Sequence, residues 1–281
     1  MSIYYRQSMT HQAMRRLLPL VGSVLPGWLF EPAFRLAFAT YRGVIRLLYL
    51  RFLIAAVVTM NGARARKVLS VFRVMPYSLV GWRGLEATYD VVHTVLCEKT
   101  PGDLVECGVA RGGSAALMGI LVNGACDRRL WLFDSYEGLP DPSIADYRDG
   151  ATGSHLRPLP KGSCLGTYEA VEDLLFSQLR LSKDRVFMVK GWFQDTLPPK
   201  SQEIGDISVL RIDADWYESV LCCLEVLYDH VLPHGFLIID DYGSCYGAQR
   251  AVDEFLTSRN IAVALAPDGR GGVYFKKPSA S

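Results

Sequence analysis

From Gly102 to the C-terminus, short apolar runs alternate with longer stretches in which apolar residues recur at helical spacing. The runs are DLVECG, RLWLFDS, RVFMVKGW, ISVLRIDAD and GFLIIDDYG; between and after them lie GSAALMGILVNG, TYEAVEDLLFSQLRL, WYESVLCCLEVLYDHVL and YGAQRAVDEFLTSRN. Nearly continuous apolar runs suit parallel strands covered on both faces, where neither side meets water. Repetition of the strand-then-helix unit predicts a doubly wound, mostly parallel α/β sheet. Pro233 and Gly235 act as stop signals before the fifth run. IAVALA and GGVYFKK, joined by the turn PDGRGG, predict a closing antiparallel hairpin.

Two regions break this rhythm. Tyr136 to Gly166 is long, irregular and rich in Gly, Pro, Asp and Ser. It follows the carboxyl end of a strand, where ligands sit in such sheets, so a lid over 136–166 is expected. Val44 to Met60 is strongly apolar, but Arg46 and Arg51 interrupt it and its longest charge-free run, Phe52 to Met60, is nine residues. A spanning helix needs ~20 mostly apolar residues, which excludes a transmembrane reading. Residues 1–67 are therefore expected to form a helical extension, and 68–281 the functional domain.

Charge changes how that extension reads. The net charge of the chain is +1, yet Met1 to Lys67 holds ten Arg or Lys against Glu31 alone, a local +9 that leaves −8 for the rest. Packing on the main domain or on a second subunit of a homo-oligomer is the first expectation. Peripheral contact with an anionic membrane face is the second. Nucleic acid is not expected, because no stacking-aromatic or recognition-helix pattern accompanies the arginines. Seven cysteines without a CxxC pair fit neither a zinc site nor a disulfide framework, and with no secretory signal at the start they point to reduced thiols in the cytoplasm.

The first strand-to-helix turn reads VECGVARGGSAALM. Gly108, Gly112 and Gly113 suit a close backbone approach to a ligand, and the helix N-terminus favours a negative group. This is not GxGxxG, so a pyrophosphate-bearing dinucleotide is disfavoured. Asp134 closes the next strand, where a carboxylate can accept ribose hydroxyls. Glu106 adds an acid able to face an amino group, a combination that suits S-adenosylmethionine. Arg111, Ser114 and Ser135 flank these positions and complete the set, with Trp192 placed to lie against an adenine.

The fourth and fifth strands end in paired acids, Asp213 with Asp215 and Asp240 with Asp241. Neighbouring strands would bring Asp213, Asp240 and Asp241 around one point. Carboxylate oxygens with no His or Cys select a hard cation, magnesium first, with manganese or calcium as alternatives. Helix capping explains one acid per end but not two, and Asp215 is the acid that best suits a plain cap before WYESV.

These pieces, with MPYSLVGW, LFDSYEGLP, VKGWFQDTLP and AVDEF, resemble the macrocin O-methyltransferase family from about Met75 to Phe255. The resemblance implies a class I methyltransferase using S-adenosylmethionine and magnesium to methylate sugar hydroxyls, with the metal triad at Asp213, Asp240 and Asp241. It also suggests that Tyr77 and Ser78 reach cofactor or substrate. The expected reaction is metal-assisted O-methylation of a small-molecule or glycan acceptor. Asp213 is the first candidate for the general base, Asp215 the second and His155 a third. A catechol-type phenol is the alternative acceptor; a silent, membrane-associated binding module is the alternative role.

Overall fold

The computed structural model describes residues 39–123, 128–147 and 161–279. Among them two compact units separate, one ending at Pro76 and one beginning at Tyr77. The first is helical over 39–49, Arg51–Val58 and Gly62–Val74, and Asn61 caps the last of these by accepting from the Arg64 amide at 2.9 Å. Val68, Val71 and Val74 are buried within it, whereas Leu47, Ile54 and Val58 are exposed. No described helix is long and apolar enough to cross a membrane.

The second unit carries seven strands in one sheet: β1 (Asp103–Cys107), β2 (Leu130–Asp134), β3 (Val186–Lys190), β4 (Ile207–Ile212), β5 (Val231–Ile239), β6 (Ala266–Pro267) and β7 (Val273–Lys276). Their order is β3-β2-β1-β4-β5-β7-β6, parallel from β3 to β5 and antiparallel where β7 joins β5 and β6 joins β7. This is the doubly wound sheet that the pattern predicts. Chain direction reverses its outward growth between β1 and β4, so the carboxyl ends of those strands bound the crevice where ligands bind in such folds.

Helices cover both faces. On one, α4 (Phe193–Ile204), α5 (Tyr217–Leu227) and α6 (Tyr246–Ser258) bury Leu197, Leu224 and Phe255 against Cys107, Phe133, Ile212 and Ile239. On the other, α1 (Gly81–Glu98) packs against α2 (Gly113–Val122). Because strand side chains alternate, Glu106 and Arg211 point away from the first cluster, and the sheet register sets them directly opposite each other on β1 and β4.

Three details differ from the pattern. α4 contains Pro198 and Pro199, residues that argue against a helix when read in sequence, yet buried Leu197 and Ile204 hold it to the sheet. The helix expected over TYEAVEDLLFSQLRL is α3 (Tyr168–Glu172) followed by a π-helical stretch over Asp173–Gln178. The run IAVALA pairs only from Ala266 onward; Ile261, Val263 and Leu265 pack on the core without ladder bonds.

Candidate active site

A cavity opens at the carboxyl ends of the parallel strands. Asp213, Asp215, Asp240 and Asp241 line it, together with Gly108, Asp134, Ser135 and Trp192. The loop after β2 adds Gly138, Leu139, Pro140 and Cys164 to the wall. Its described flanks are pinned by bonds from the Leu139 amide to the Ser163 carbonyl (2.9 Å) and from the Trp216 indole to the Pro140 carbonyl (3.0 Å). His155 and the centre of that loop, 148–160, lie outside the described residues.

Sequence spacing brought Asp213, Asp240 and Asp241 to one point, and so does the fold. One carboxylate oxygen from each lies within 4.8 Å of the others. None of them caps a helix. The N-cap residue of α5 is Trp216, and the Tyr217 amide instead donates to Asp146 at 2.7 Å, a residue 71 positions earlier in the chain. The plain-cap reading of Asp215 therefore fails: the job belongs to Asp146. Asp215 has a left-handed backbone (φ 54°) and accepts a weak bond from the Cys245 thiol at 3.4 Å.

Two arginines that sequence reasoning missed organise these acids. Arg211 is fully buried; its Nη1 donates to Glu106 Oε1 (3.2 Å) and to Asp213 Oδ2 (2.9 Å), and its Nη2 to Asp240 Oδ1 (2.8 Å). Arg270 reaches in from the β6–β7 turn, its Nη1 donating to Asp240 Oδ2 at 2.6 Å. An arginine inside the apolar run ISVLRID was the available signal, since a buried guanidinium demands carboxylate partners. The turn residue carried no such signal.

Burial and crowding of like charges raise the acids. Loss of water pushes Glu106 up to about 8 despite the opposing charge of Arg211. Its Oε2 has no hydrogen-bond partner among the described residues. Burial, then the neighbouring Asp213, lift Asp215 to about 7 and Asp240 to about 6. Asp241 too is raised well above the usual carboxylate range, by burial and then by Asp215 and Asp213. Burial alone would lower Arg211, but Asp213, Asp240 and Glu106 outweigh it and keep the guanidinium charged.

The glycine turn serves the chain before any ligand. A Cβ on Gly108 would sit 1.8 Å from the Asp213 carbonyl oxygen, and one on Gly113 would lie 2.5 Å from Ser78. Gly112 (φ 83°) opens α2 in a left-handed conformation. Asp134 holds the same turn shut: its Oδ2 accepts from the Val109 and Ala110 amides (2.7 and 3.0 Å) and its Oδ1 from Tyr136 (2.6 Å). A carboxylate offers about four acceptor positions, so one remains rather than the two that a ribose diol would use. Ser114 bonds the Glu106 carboxyl, and Arg111 is exposed on the turn. Ser78 is buried behind the turn, while the Tyr77 hydroxyl donates to Gln178 at 2.7 Å; neither lines the cavity.

Comparison with known proteins agrees with this architecture. A family model described as macrocin-O-methyltransferase (TylF) matches residues 43–277. Demethyldecarbamoylnovobiocin O-methyltransferase of Streptomyces niveus is 37% identical over 72% of this chain and 76% of its own. Mycinamicin III 3''-O-methyltransferase of Micromonospora griseorubida is 32% identical over 76% and 83%. The solved O-methyltransferase NovP superposes with a TM-score of 0.64 at 33% identity, covering 72% of this chain and 83% of its own. The calicheamicin methyltransferase CalS11, at 18% identity and a TM-score of 0.58 over 83% and 91%, shares the fold. The chain belongs to the macrocin-O-methyltransferase family and is an S-adenosylmethionine-dependent O-methyltransferase.

Proposed function

We propose that this enzyme methylates a sugar hydroxyl of a glycoside, and that Asp213, Asp240 and Asp241 hold a divalent cation beside the methyl donor. The sugar acceptor is supported by relatives whose names place the methyl group on a rhamnosyl substituent or at a 3'' position. The cation is supported by the chemistry of the donor set: three carboxylates converge on the cavity, and Asp241 Oδ2 is buried without any partner, an arrangement costly to keep unless something positive meets it. Oxygen-only ligation suits magnesium or manganese. When bound, S-adenosylmethionine supplies the electrophilic methyl carbon and the divalent ion lowers the pKa of a nearby hydroxyl.

The chain's own residues do the rest. Gly108, Asp134, Ser135 and Trp192 wall the donor's side of the cavity, with Asp134 keeping one acceptor position for one ribose hydroxyl. Asp215 is the general base best supported. Asp213 is tied to Arg211 through Oδ2, whereas Asp215 faces the cavity with a carboxyl lifted to about 7, near the operating pH where a base works best. Arg211 stands behind Asp213 and Asp240 and turns their other oxygens forward.

The convergence of Asp213, Asp240 and Asp241 carries this reading. Its test is methyl transfer from radiolabelled S-adenosylmethionine to a panel of deoxysugar glycosides and catechols, with and without a chelator. Chelator-sensitive labelling of a glycoside supports it. Labelling confined to catechols, or indifferent to chelation and to D240A, removes the acceptor or the cation respectively. For residues 39–60 we propose peripheral contact with anionic lipid, supported by exposed Leu47, Ile54 and Val58 beside Arg42, Arg46 and Arg51, with no acid in the segment; co-sedimentation with phosphatidylserine vesicles tests it.

A further inference from the structure

Asp240 is held from two sides. Behind it, Arg211 takes Oδ1; in front, Arg270 takes Oδ2. The two guanidinium groups differ in how freely they can leave. Arg211 is fully buried and also engages Glu106 and Asp213, so it cannot move without stranding three acids. The Arg270 side chain is 34% exposed, and among the described residues its guanidinium makes one further bond beyond Asp240, Nη2 to the Leu79 carbonyl at 3.3 Å. It sits on a turn built to present it: Asp268 Oδ1 accepts the Arg270 and Gly271 amides at 2.7 and 2.9 Å. The turn backbone is therefore fixed, and the side chain it presents is, unlike that of Arg211, partly exposed.

Arg270 lines the cavity whereas Arg211 does not, so the oxygen that Arg270 holds, Oδ2, is the one left on the cavity side for the proposed cation. We propose that Arg270 is the chain's own cation for this carboxylate triad: its guanidinium and a divalent ion compete for Asp240 Oδ2, so that taking up metal requires Arg270 to swing aside. This rests on the cation reading above. Two positive groups cannot share one carboxylate oxygen in a partly desolvated cleft without strong mutual repulsion, and a magnesium-sized ion demands close oxygen contacts that a guanidinium hydrogen bond occupies. The arrangement keeps a positive group against Asp240 whether or not metal is bound, and it makes metal affinity the difference between two ion contacts rather than the full strength of one. A residue that merely supported Asp240, as Arg211 does, would have the opposite effect on affinity when removed.

The test is Mn²⁺ titration of the full chain, followed by electron paramagnetic resonance of the free ion, for the wild type, R270Q, R270K and D240N, with folding of each checked by circular dichroism. R270Q should bind Mn²⁺ about tenfold more tightly or better, equivalent to about 1.4 kcal/mol, and R270K should fall between it and the wild type. Guanidinium ion at sub-denaturing concentration should compete with Mn²⁺ in R270Q more strongly than in the wild type, where Arg270 already holds Asp240. A folded R270Q, or R270K should R270Q fail to fold, that binds Mn²⁺ no more tightly than the wild type overturns the Arg270 proposal, while loss of binding in D240N still upholds the cation site. Absence of Asp240-dependent binding in every variant overturns both.

Discussion

Replacing Arg211 by methionine removes a side chain that touches Glu106, Asp213 and Asp240 at once. Methionine fills similar volume and lies flat in an apolar sheet, so the loss is electrostatic rather than a cavity. Taking one partner from a buried ion pair costs about 3–5 kcal/mol, because the remaining charge is stranded out of water. The structure says where in that range the change falls. Glu106, already lifted to about 8, can stay protonated. The Asp213 side chain is 22% exposed and regains some water, and Asp240 keeps Arg270. The cost should thus lie near the lower end, about 3 kcal/mol against a total of about 5–15. For a unit of this size that lowers Tm by roughly 6–12 °C. Differential scanning fluorimetry and urea unfolding, both without added divalent ion, measure it. R211K should recover part of the loss but not all, since one ammonium cannot serve acids that the planar fork reaches from two nitrogens. A methionine variant within about 1 kcal/mol of the wild type would show that the acids do not depend on Arg211, and the account of the buried cluster would be wrong.

Three further changes test the same geometry. Glu106 has a folded pKa of about 8, above the 4.5 expected unfolded, so between those values the folded state holds the extra proton and stability falls as pH rises, by up to ~1.4 kcal/mol per pH unit; E106Q should flatten that slope in urea melts from pH 5 to 8, and an unchanged slope would assign it elsewhere. D215N should lower kcat by about 10²–10⁴-fold, the usual contribution of a general base, while S-adenosylhomocysteine affinity measured by calorimetry stays put; full activity would return the role to Asp213. D146A deletes the acceptor of the Tyr217 amide and should cost about 1 kcal/mol, with faster proteolytic cleavage of the loop after β2; equal cleavage rates would mean that the loop is held by other contacts.

How much of this could be read beforehand follows from the range of each interaction. The doubly wound sheet, the adjacency of its fourth and fifth strands and the meeting of Asp213 with Asp240 were legible because parallel α/β connections obey strict rules and because paired acids at strand tips are anomalous without a counter-charge. The glycines were found, but one reason for them was not legible: Gly108 makes room for the Asp213 backbone, and Gly113 for Ser78, contacts between segments far apart in sequence. Asp134 was read as a ribose acceptor, yet most of its capacity goes to local amides. Asp146 could not be recognised as the cap of α5 because an N-cap is sought immediately before its helix, and this one arrives from a loop. α4 was hidden by Pro198 and Pro199, since propensity speaks before tertiary packing does.

The buried cluster also explains why the two halves of the site need not be independent. Sheet register sets Glu106 of β1 opposite Arg211 of β4, so the acid proposed to face the donor and the acids of the proposed cation share one guanidinium. Displacing a proton on Glu106 or a ligand on Asp240 changes the charge that Arg211 must balance, and in a site without water that change is not screened. A cation bound at Asp240 would take over part of the balance that Arg211 supplies there, leaving more of that charge for Glu106 and favouring its ionised form. Donor and cation should then bind with positive coupling that E106Q weakens. Affinities for S-adenosylhomocysteine measured with and without Mn²⁺ in both proteins decide the matter: equal ratios in wild type and variant would mean that Arg211 holds its acids in place without linking them.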